Sequence, residues 1–371
     1  MGLSKLGAYI RLHDERNTSN EIKKVLGVSV HKEFREPTAK VDRNNLHNYK
    51  IVRPGCFTSV QTTNNEKVFA FAYNDLGEPI VVSSVNLVFS VDERKIHPRW
   101  LQVYFNRSEF DRYARFNSWG SARETFTWDD ICDIDIDLPP IEIQQNYVDI
   151  YNAMLANQKA YERTLDDLQV TAAGLLEKFK TDTPREPLGA LTREVDDRNA
   201  DLAISEVNGV KKEKLFMPSV ASGADLSKYK LVKRHQFACN LMHVGRDVAV
   251  PIAMNTGEQA IIVSPAYMVF EVNTDDLIPE FLLSWLSRAE TDRYAWFMSD
   301  TNVRSGMEKK RFLEIDVPIP EKKQQEALVE ISATLMERRA YVDQLKEQIR
   351  NLCPVLIKGS LDEAAREEVL T

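Results

Sequence analysis

Several ingredients are scarce in this chain, and each scarcity excludes something. Four cysteines (Cys56, Cys132, Cys239, Cys353) are scattered over 371 residues with no two-residue spacing between any pair. That excludes a Cys-x-x-Cys redox or zinc motif, and the expectation is reduced, mostly buried thiols. The six histidines (His13, His31, His47, His97, His235, His243) fall into no metal-ligand spacing. Apolar runs such as residues 80–84 and 260–263 are only a few residues long, far short of the roughly 18 that a membrane span needs. The first residues, Met1-Gly2-Leu3-Ser4-Lys5, lack the cationic and apolar pattern of a signal peptide, and Gly2 stands in no myristoylation pattern. A cytoplasmic, membrane-free protein is expected. No Gly-x-Gly-x-x-Gly or phosphate-binding loop is present. Asp129, Asp130, Asp133, Asp135 and Asp137 lack the glycine of a calcium loop, and Asp135 and Asp137 alternate with Ile134, Ile136 and Leu138 as a solvated strand face would.

Positive charge is also short: 48 Lys and Arg against 56 Asp and Glu leave a formal charge of −8. The deficit is uneven. Residues 1–140 hold 19 basic and 19 acidic side chains, residues 185–318 hold 17 and 20, and the remaining acid lies in residues 141–184 and 319–371. A chain-wide average says little about one face. Weak binding of nucleic acid by the chain alone is the expectation, with a partner adding phosphate contacts.

What the chain does have is a second copy of itself. Leu6-Gly7-Ala8 returns as Leu188-Gly189-Ala190, Asp14-Glu15-Arg16-Asn17 as Asp196-Asp197-Arg198-Asn199, and Gly27-Val28 as Gly209-Val210, all 182 residues later. Tyr49-Lys50 and Phe57 match Tyr229-Lys230 and Phe237 at 180. Val82-Ser83, Val88-Phe89, Arg112-Tyr113-Ala114 and Phe116 match Val263-Ser264, Val269-Phe270, Arg293-Tyr294-Ala295 and Phe297 at 181, and Gln144-Gln145 matches Gln324-Gln325 at 180. A period this long means two whole domains of one design rather than a solenoid. The framework matches while the middle differs: residues 61–67 of the first copy face the unlike residues 241–247 of the second. That contrast suggests one scaffold presenting two surfaces.

Each copy reads as β-rich at first, with strands at residues 49–53 and 80–83, and at 229–233 and 261–264. A helix follows over Pro98 to Phe116 and Pro279 to Phe297, each opened by its proline. Leu138-Pro139-Pro140 and Pro318-Ile319-Pro320 then punctuate the chain before two long helical patterns. Tyr147, Tyr151, Met154, Tyr161, Leu165, Leu168 and Leu175 keep alternating spacings of four and three with Gln158, Ala172 and Phe179; so do Leu328, Ile331, Leu335, Val342, Leu345, Ile349 and Leu352 with Arg338 and Leu356. Such seams suit two helices that pair lengthwise and antiparallel; an amphipathic helix lying on its own domain is the other packing open to each. Pro354 is expected to kink or end the second helix.

The order domain, helix, domain, helix, with the proline stops and glutamine pairs, resembles the type I restriction-modification specificity subunits. Residues 49–57 (Tyr-Lys-Ile-Val-Arg-Pro-Gly-Cys-Phe) and 261–270 look like that family's target-recognition domains, while Arg234-His235-Gln236-Phe237 departs from its Pro-Gly turn. The resemblance implies an α+β fold in which two similar β-rich target-recognition domains, residues 1–140 and 185–318, are separated by two long antiparallel coiled-coil helices, residues 141–184 and 319–371, with pseudo-twofold symmetry. It implies a bacterial or archaeal subunit without catalysis of its own, reading a bipartite target in double-stranded DNA. Two methyltransferase subunits, carrying S-adenosylmethionine, and restriction motor-nuclease subunits are the implied partners; no cofactor is expected on this chain. Asp137-Leu138-Pro139-Pro140 departs from an amino-methyltransferase loop by the inserted Leu138 and by Ile141 where an aromatic should stand.

Base and phosphate contacts favour Arg, Asn, Gln, Lys, Ser and Thr. The candidates are therefore Gln61, Asn64, Asn65 and Lys67 in the first copy and Asn240, His243 and Arg246 in the second. Ser121 and Arg123 lie in a further loop, where Arg123 and Arg304 share one repeat position. Ordinary exposed loop residues are the alternative for each. For the whole chain, the rivals are a coiled-coil adaptor with two protein-binding β-rich domains, favoured by the acidic charge, and an enzyme with an unrecognised site.

Overall fold

A computed structural model describes residues 2–62, 68–120, 124–220, 223–299 and 306–370. The chain divides into two compact units, Met1–Tyr161 with Tyr341–Thr371, and Glu162–Ala340. Both dividing points fall inside long helices, which run unbroken over Ile141–Asp182 and Lys322–Leu370.

In the first unit a four-stranded antiparallel sheet runs in the order Ile10–His13, Leu87–Val91, Phe57–Ser59, Phe71–Tyr73. Phe57 sits opposite both Phe89 and Tyr73 and stacks on Phe89 at 5.2 Å between ring centroids. A second pair, Lys50–Val52 with Ile80–Val82, and a hairpin, Gly27–Val28 with Phe34–Arg35, complete the β region. Ser4–Lys5 pairs with Asp135–Ile136, so the start and end of the copy are stitched together. The core under the sheet is rich in aromatics, with Phe57, Phe69, Phe71, Phe89, Trp100, Phe105, Phe110 and Phe126 all buried.

The second unit repeats this topology on its own. Thr192–Val195, Met268–Val272, Phe237–Cys239 and Ile252–Met254 form the same four-stranded order, and Phe237 stacks on Phe270 at 4.9 Å. Its hairpin, Val207–Val210 with Phe216–Ser219, joins Ile261–Val263 and Lys230–Val232 in a second sheet of four. Arg185–Pro187 closes on Asp316–Pro318. The repeat extends to single hydrogen bonds. Asn17 and Asn199 each donate from Nδ2 to a carbonyl five residues on, at 2.9 and 2.8 Å. Asn74 and Asn255, both buried, each donate to two carbonyls, those of Val52 and Glu78 and those of Val232 and Gln259.

Five details differ from the sequence reading or sharpen it. The single helix expected from Pro98 to Phe116 is two, Pro98–Asn106 and Ser108–Phe116, and its counterpart is Pro279–Leu286 and Ala289–Phe297. Arg107 and Arg288 are extended at the corners (ψ 142 and 144). Each donates from Nε back to a carbonyl near the end of the first helix, Tyr104 at 2.9 Å and Trp285 at 3.1 Å, and lies over that residue's ring. The corner lets both helices bury side chains on one core, Trp100 and Phe105 from one and Phe110 and Ala114 from the next.

The second long helix neither ends nor breaks at Pro354. An interior proline costs about 3 kcal/mol. Burying Leu356 and Ile357 just beyond it returns about 1.5–3 kcal/mol each, enough to carry the helix through. Near that point the seam also shifts by one residue: Leu352 is exposed at 36% while Cys353 is buried at 1%, so the inward row runs Ile349, Cys353, Leu356, Ser360. Ser360 accepts from Trp100 Nε1, which rewards that register.

The turn at Arg234-His235-Gln236-Phe237 keeps the geometry of Pro54-Gly55-Cys56-Phe57. His235 has φ 61 where Gly55 has φ 84, and each donates its N–H to the carbonyl of the buried asparagine, Asn255 at 2.7 Å and Asn74 at 2.9 Å. Asp137 is the fourth difference. It lies just past the strand, half-buried, with a shielded Oδ1 that has no hydrogen-bond partner among the described residues, whereas Asp135 is exposed and pairs with Lys5.

The glutamine pair has to be realigned by one. Gln144, fully buried, accepts from His97 N and donates to the carbonyls of Lys95 and Pro139. Gln325, also fully buried, accepts from Ile278 N and donates to the carbonyls of Asp276 and Pro320. Gln144 therefore corresponds to Gln325, at the common offset of 181. Each fastens the start of a long helix to the loop ahead of its unit's helical corner.

In the first unit the two long helices run antiparallel. Tyr147 donates to Glu363 at 2.9 Å, while Tyr151 and Met154, further along, pack in one cluster with Ile349 and Cys353. Gly359 faces Tyr147, whose ring lies where a Cβ would come within 2.7 Å, so the close approach needs the glycine. Tyr151 is buried and its hydroxyl accepts from Asn106 Nδ2. In the second unit Leu175, Leu176, Phe179 and Leu328 join the core of their own domain, the alternative packing left open for such helices. Val342 is buried, Ile331, Leu335 and Leu345 are half-buried in one helix as Leu165 and Leu168 are in the other, and Tyr161 is 39% exposed.

Candidate nucleic-acid interface

Each unit brings together two segments that lie far apart in its sequence. In the first, Phe126 N donates to the carbonyl of Gln61 at 2.8 Å, and Thr125 bridges both Thr62 and Trp119. Gln61 and Thr62 thus lie beside Trp119, Thr125 and Phe126. In the second unit Met307 N donates to the carbonyl of Leu241 at 2.9 Å, the same bond at the same repeat positions. In each unit this bond ties the start of the divergent segment to the chain just ahead of a short helix, Trp128–Cys132 in one and Lys309–Leu313 in the other.

The fate of the individual candidates varies. Gln61 is half-buried, and its Nε2 donates to the carbonyl of Val85 at 3.3 Å. Asn240 is buried; its Oδ1 accepts from Met242 N and starts the short helical turn Leu241–His243, so it shapes the segment from below. His243 and Arg246 lie on that turn and on the following one, Val244–Asp247. Asn64, Asn65, Lys67, Ser121, Arg123 and Arg304 lie outside the described residues. Around these segments stand aromatic side chains that a search for polar residues passes over. Phe116 and Phe297, at one repeat position, are 81% and 78% exposed; Trp119 and Trp296 are also exposed. The signal was present in the sequence: Phe116 and Phe297 end a pattern whose Ala114 and Ala295 are the inward residues, which puts each Phe on the outer side.

Much of the framework's positive charge is already engaged. Asp14 pairs with Arg16 and Lys50, and Asp196 pairs with Arg198 and Lys230. Hydrogen bonds first from Arg16 and then from Lys50 hold the Asp14 carboxyl below the usual carboxylate range. Arg198 does the same for Asp196. Arg53 with Glu15 and Lys233 with Asp197 repeat a second pair. Such cations brace the scaffold. Among the described residues no three His, Cys, Asp or Glu side chains gather as a metal site would require. No described helix is long and apolar enough to cross a membrane.

No protein-family model matches the chain, and no curated protein does. Solved structures do. The HsdS subunit from Thermoanaerobacter tengcongensis aligns over 97% of this chain and 96% of its own at 13% identity, TM-score 0.38. A chain of a type I R-M system, solved for its complex assembly and conformational transition, aligns over 99% and 95% at 14% identity, TM-score 0.42. The type I restriction-modification S subunit from M. genitalium aligns over 98% and 95% at 10% identity, TM-score 0.52. This chain shares the S-subunit fold. Mixed helix and strand, two β-rich regions and a long helix between them are common to it and the M. genitalium protein.

Proposed function

We propose that this chain is the DNA-specificity subunit of a type I restriction-modification complex, without a catalytic centre of its own. The observation that carries the reading is internal: two units repeat one hydrogen-bonded framework, with Gln61 and Leu241 anchored by the same backbone bond, while the sequences that start there, residues 61–67 and 241–247, are unlike. A duplicated scaffold with unlike tips suits a two-part target, each tip reading one half through base edges. The exposed aromatics suit contact with sugar and base faces. The long helices, 42 and 49 residues, rise about 63 and 74 Å. On this reading they set the gap between half-sites and dock two methyltransferase subunits, which hold S-adenosylmethionine and through which restriction subunits join. The acidic balance fits such a division of labour, since the partners supply phosphate contacts.

The acidic charge also favours a second reading, an adaptor whose β-rich units bind proteins. Co-expression with the host's type I methyltransferase subunit separates the two. The specificity reading expects a stable complex that binds duplex DNA with an affinity falling steeply with salt, and a bipartite methylated motif that disappears from the host methylome when this gene is deleted. A methylome unchanged by the deletion, with no DNA binding by the complex, would leave the adaptor.

A further inference from the structure

Lys32 and Lys214 sit at equivalent hairpin tips, and both adopt the left-handed backbone, φ 63 and 65. That conformation is uncommon for a residue with a side chain. Here it goes with a lysine turned inward: the side chains are only 8% and 10% exposed. Lys32 Nζ donates to Asp111 at 2.9 Å and to the carbonyl of Phe105 at 2.7 Å. Lys214 Nζ donates to Asp292 and to the carbonyl of Val250, both at 2.6 Å. Asp111 and Asp292 lie in the first turns of their helices, where the helix dipole favours a carboxylate.

A third segment converges on each aspartate. Asp111 Oδ1 accepts from Phe69 N at 3.1 Å, and Asp292 Oδ1 accepts from Val250 N at 2.8 Å. Phe69 and Val250 stand at one repeat position, just where the chain returns from the segment that differs between copies. The opposite foot of each segment is held by a backbone bond, Val60 N to Ala70 O and Asn240 N to Pro251 O, both 2.9 Å. In the second unit the intervening turn also drops Val244 into the core, fully buried. A buried ion pair is a weak source of net stability, but it fixes geometry because each partner is costly to leave unpaired.

We propose that Lys32–Asp111 and Lys214–Asp292 are positioning pairs: each pins the foot of its unit's divergent segment and so keeps that segment in register with its half of the DNA target. This rests on the functional reading above. The test uses the full complex with methyltransferase and the variants Lys32→Met, Asp111→Asn, Lys214→Met and Asp292→Asn. Two readouts are taken: hydrogen exchange of the peptides holding Phe69 and Val250, and methylation of a duplex library varied in each half-site. A first-unit variant should speed exchange at Phe69 by roughly tenfold or more and cut discrimination in one half-site by roughly tenfold, leaving the other half and the gap intact. A second-unit variant should do the same at Val250 and the other half.

If single variants fold poorly, the apolar pairs Lys32→Met with Asp111→Leu and Lys214→Met with Asp292→Leu keep the packing but still free the foot. Unchanged exchange at Phe69 and Val250 overturns the proposal whatever the DNA result. So does a uniform loss of methylation that tracks unfolded protein with discrimination intact. A wild-type complex with no bipartite preference sinks the functional reading instead, while the exchange result still decides whether the pairs pin their segments.

Discussion

Replacing Gln325 with Leu should be among the most damaging single changes on the long helices. Its side chain is fully buried and makes three bonds, accepting from Ile278 N at 2.8 Å and donating to the carbonyls of Asp276 at 2.7 Å and Pro320 at 2.8 Å. Leucine fills much of the volume but leaves one N–H and two carbonyls unpaired. Each orphaned buried group costs about 1–3 kcal/mol; with partial relaxation the loss comes to about 3–5 kcal/mol. Gln144→Leu should cost as much, since its three bonds are the same. The neighbours are the internal control. Gln145 donates to Asp149 and Gln324 accepts from Glu321 N, both at the surface, and changing either to Ala should cost less than about 1 kcal/mol. Urea unfolding followed by hydrogen exchange at Ile278 measures the contrast. Equal, small losses for all four glutamines would refute the claim that Gln144 and Gln325 fasten helix to domain.

His235→Gly should stabilise the second unit by about 0.5–1 kcal/mol in urea unfolding, because φ 61 suits glycine and the exposed contact with Glu280 is worth little; a destabilised variant would show that the contact matters more than the backbone. Thr58→Val and Ser59→Ala should be neutral or stabilising by up to about 1 kcal/mol, since both hydroxyls are buried without a hydrogen-bond partner among the described residues and the second copy has Ala238 and Cys239 there; calorimetry showing a clear loss would reveal a bond they make. Asp14 and Asp196, held below the usual carboxylate range by Arg16 and Arg198, contribute stability that is present above their unfolded pKa of about 3.9 and lost as pH falls through the lower folded value. Asn variants at both positions should therefore flatten acid unfolding below about pH 4, and NMR titration showing ordinary carboxylate values would contradict this.

The architecture was legible because it was written twice. The register of Phe57 with Phe237 and of Val88-Phe89 with Val269-Phe270 located the sheet strands, and the proline stops located both long helices. What escaped was set by tertiary contact. No local signal announces the corner at Arg107, which exists because its guanidinium folds back on Tyr104. The heptad rule chose Leu352 by apolarity, whereas Ser360 and its bond from Trp100 select Cys353. Choosing site residues by polarity nominated Asn240, a buried turn-former, and passed over Phe116 and Phe297. Nothing in the local sequence marks Lys32 and Lys214, which the hairpins turn inward onto Asp111 and Asp292.

The most direct test of the central claim exchanges one tip and reads the target. Residues 58–80 are replaced by their counterparts 238–261 in the complex with methyltransferase, and the methylated motif is determined by single-molecule sequencing. Two units that read separate half-sites predict a motif changed in one half, with the other half and the gap retained. A motif changed in both halves, or in neither, from a variant that still folds and methylates, would contradict it.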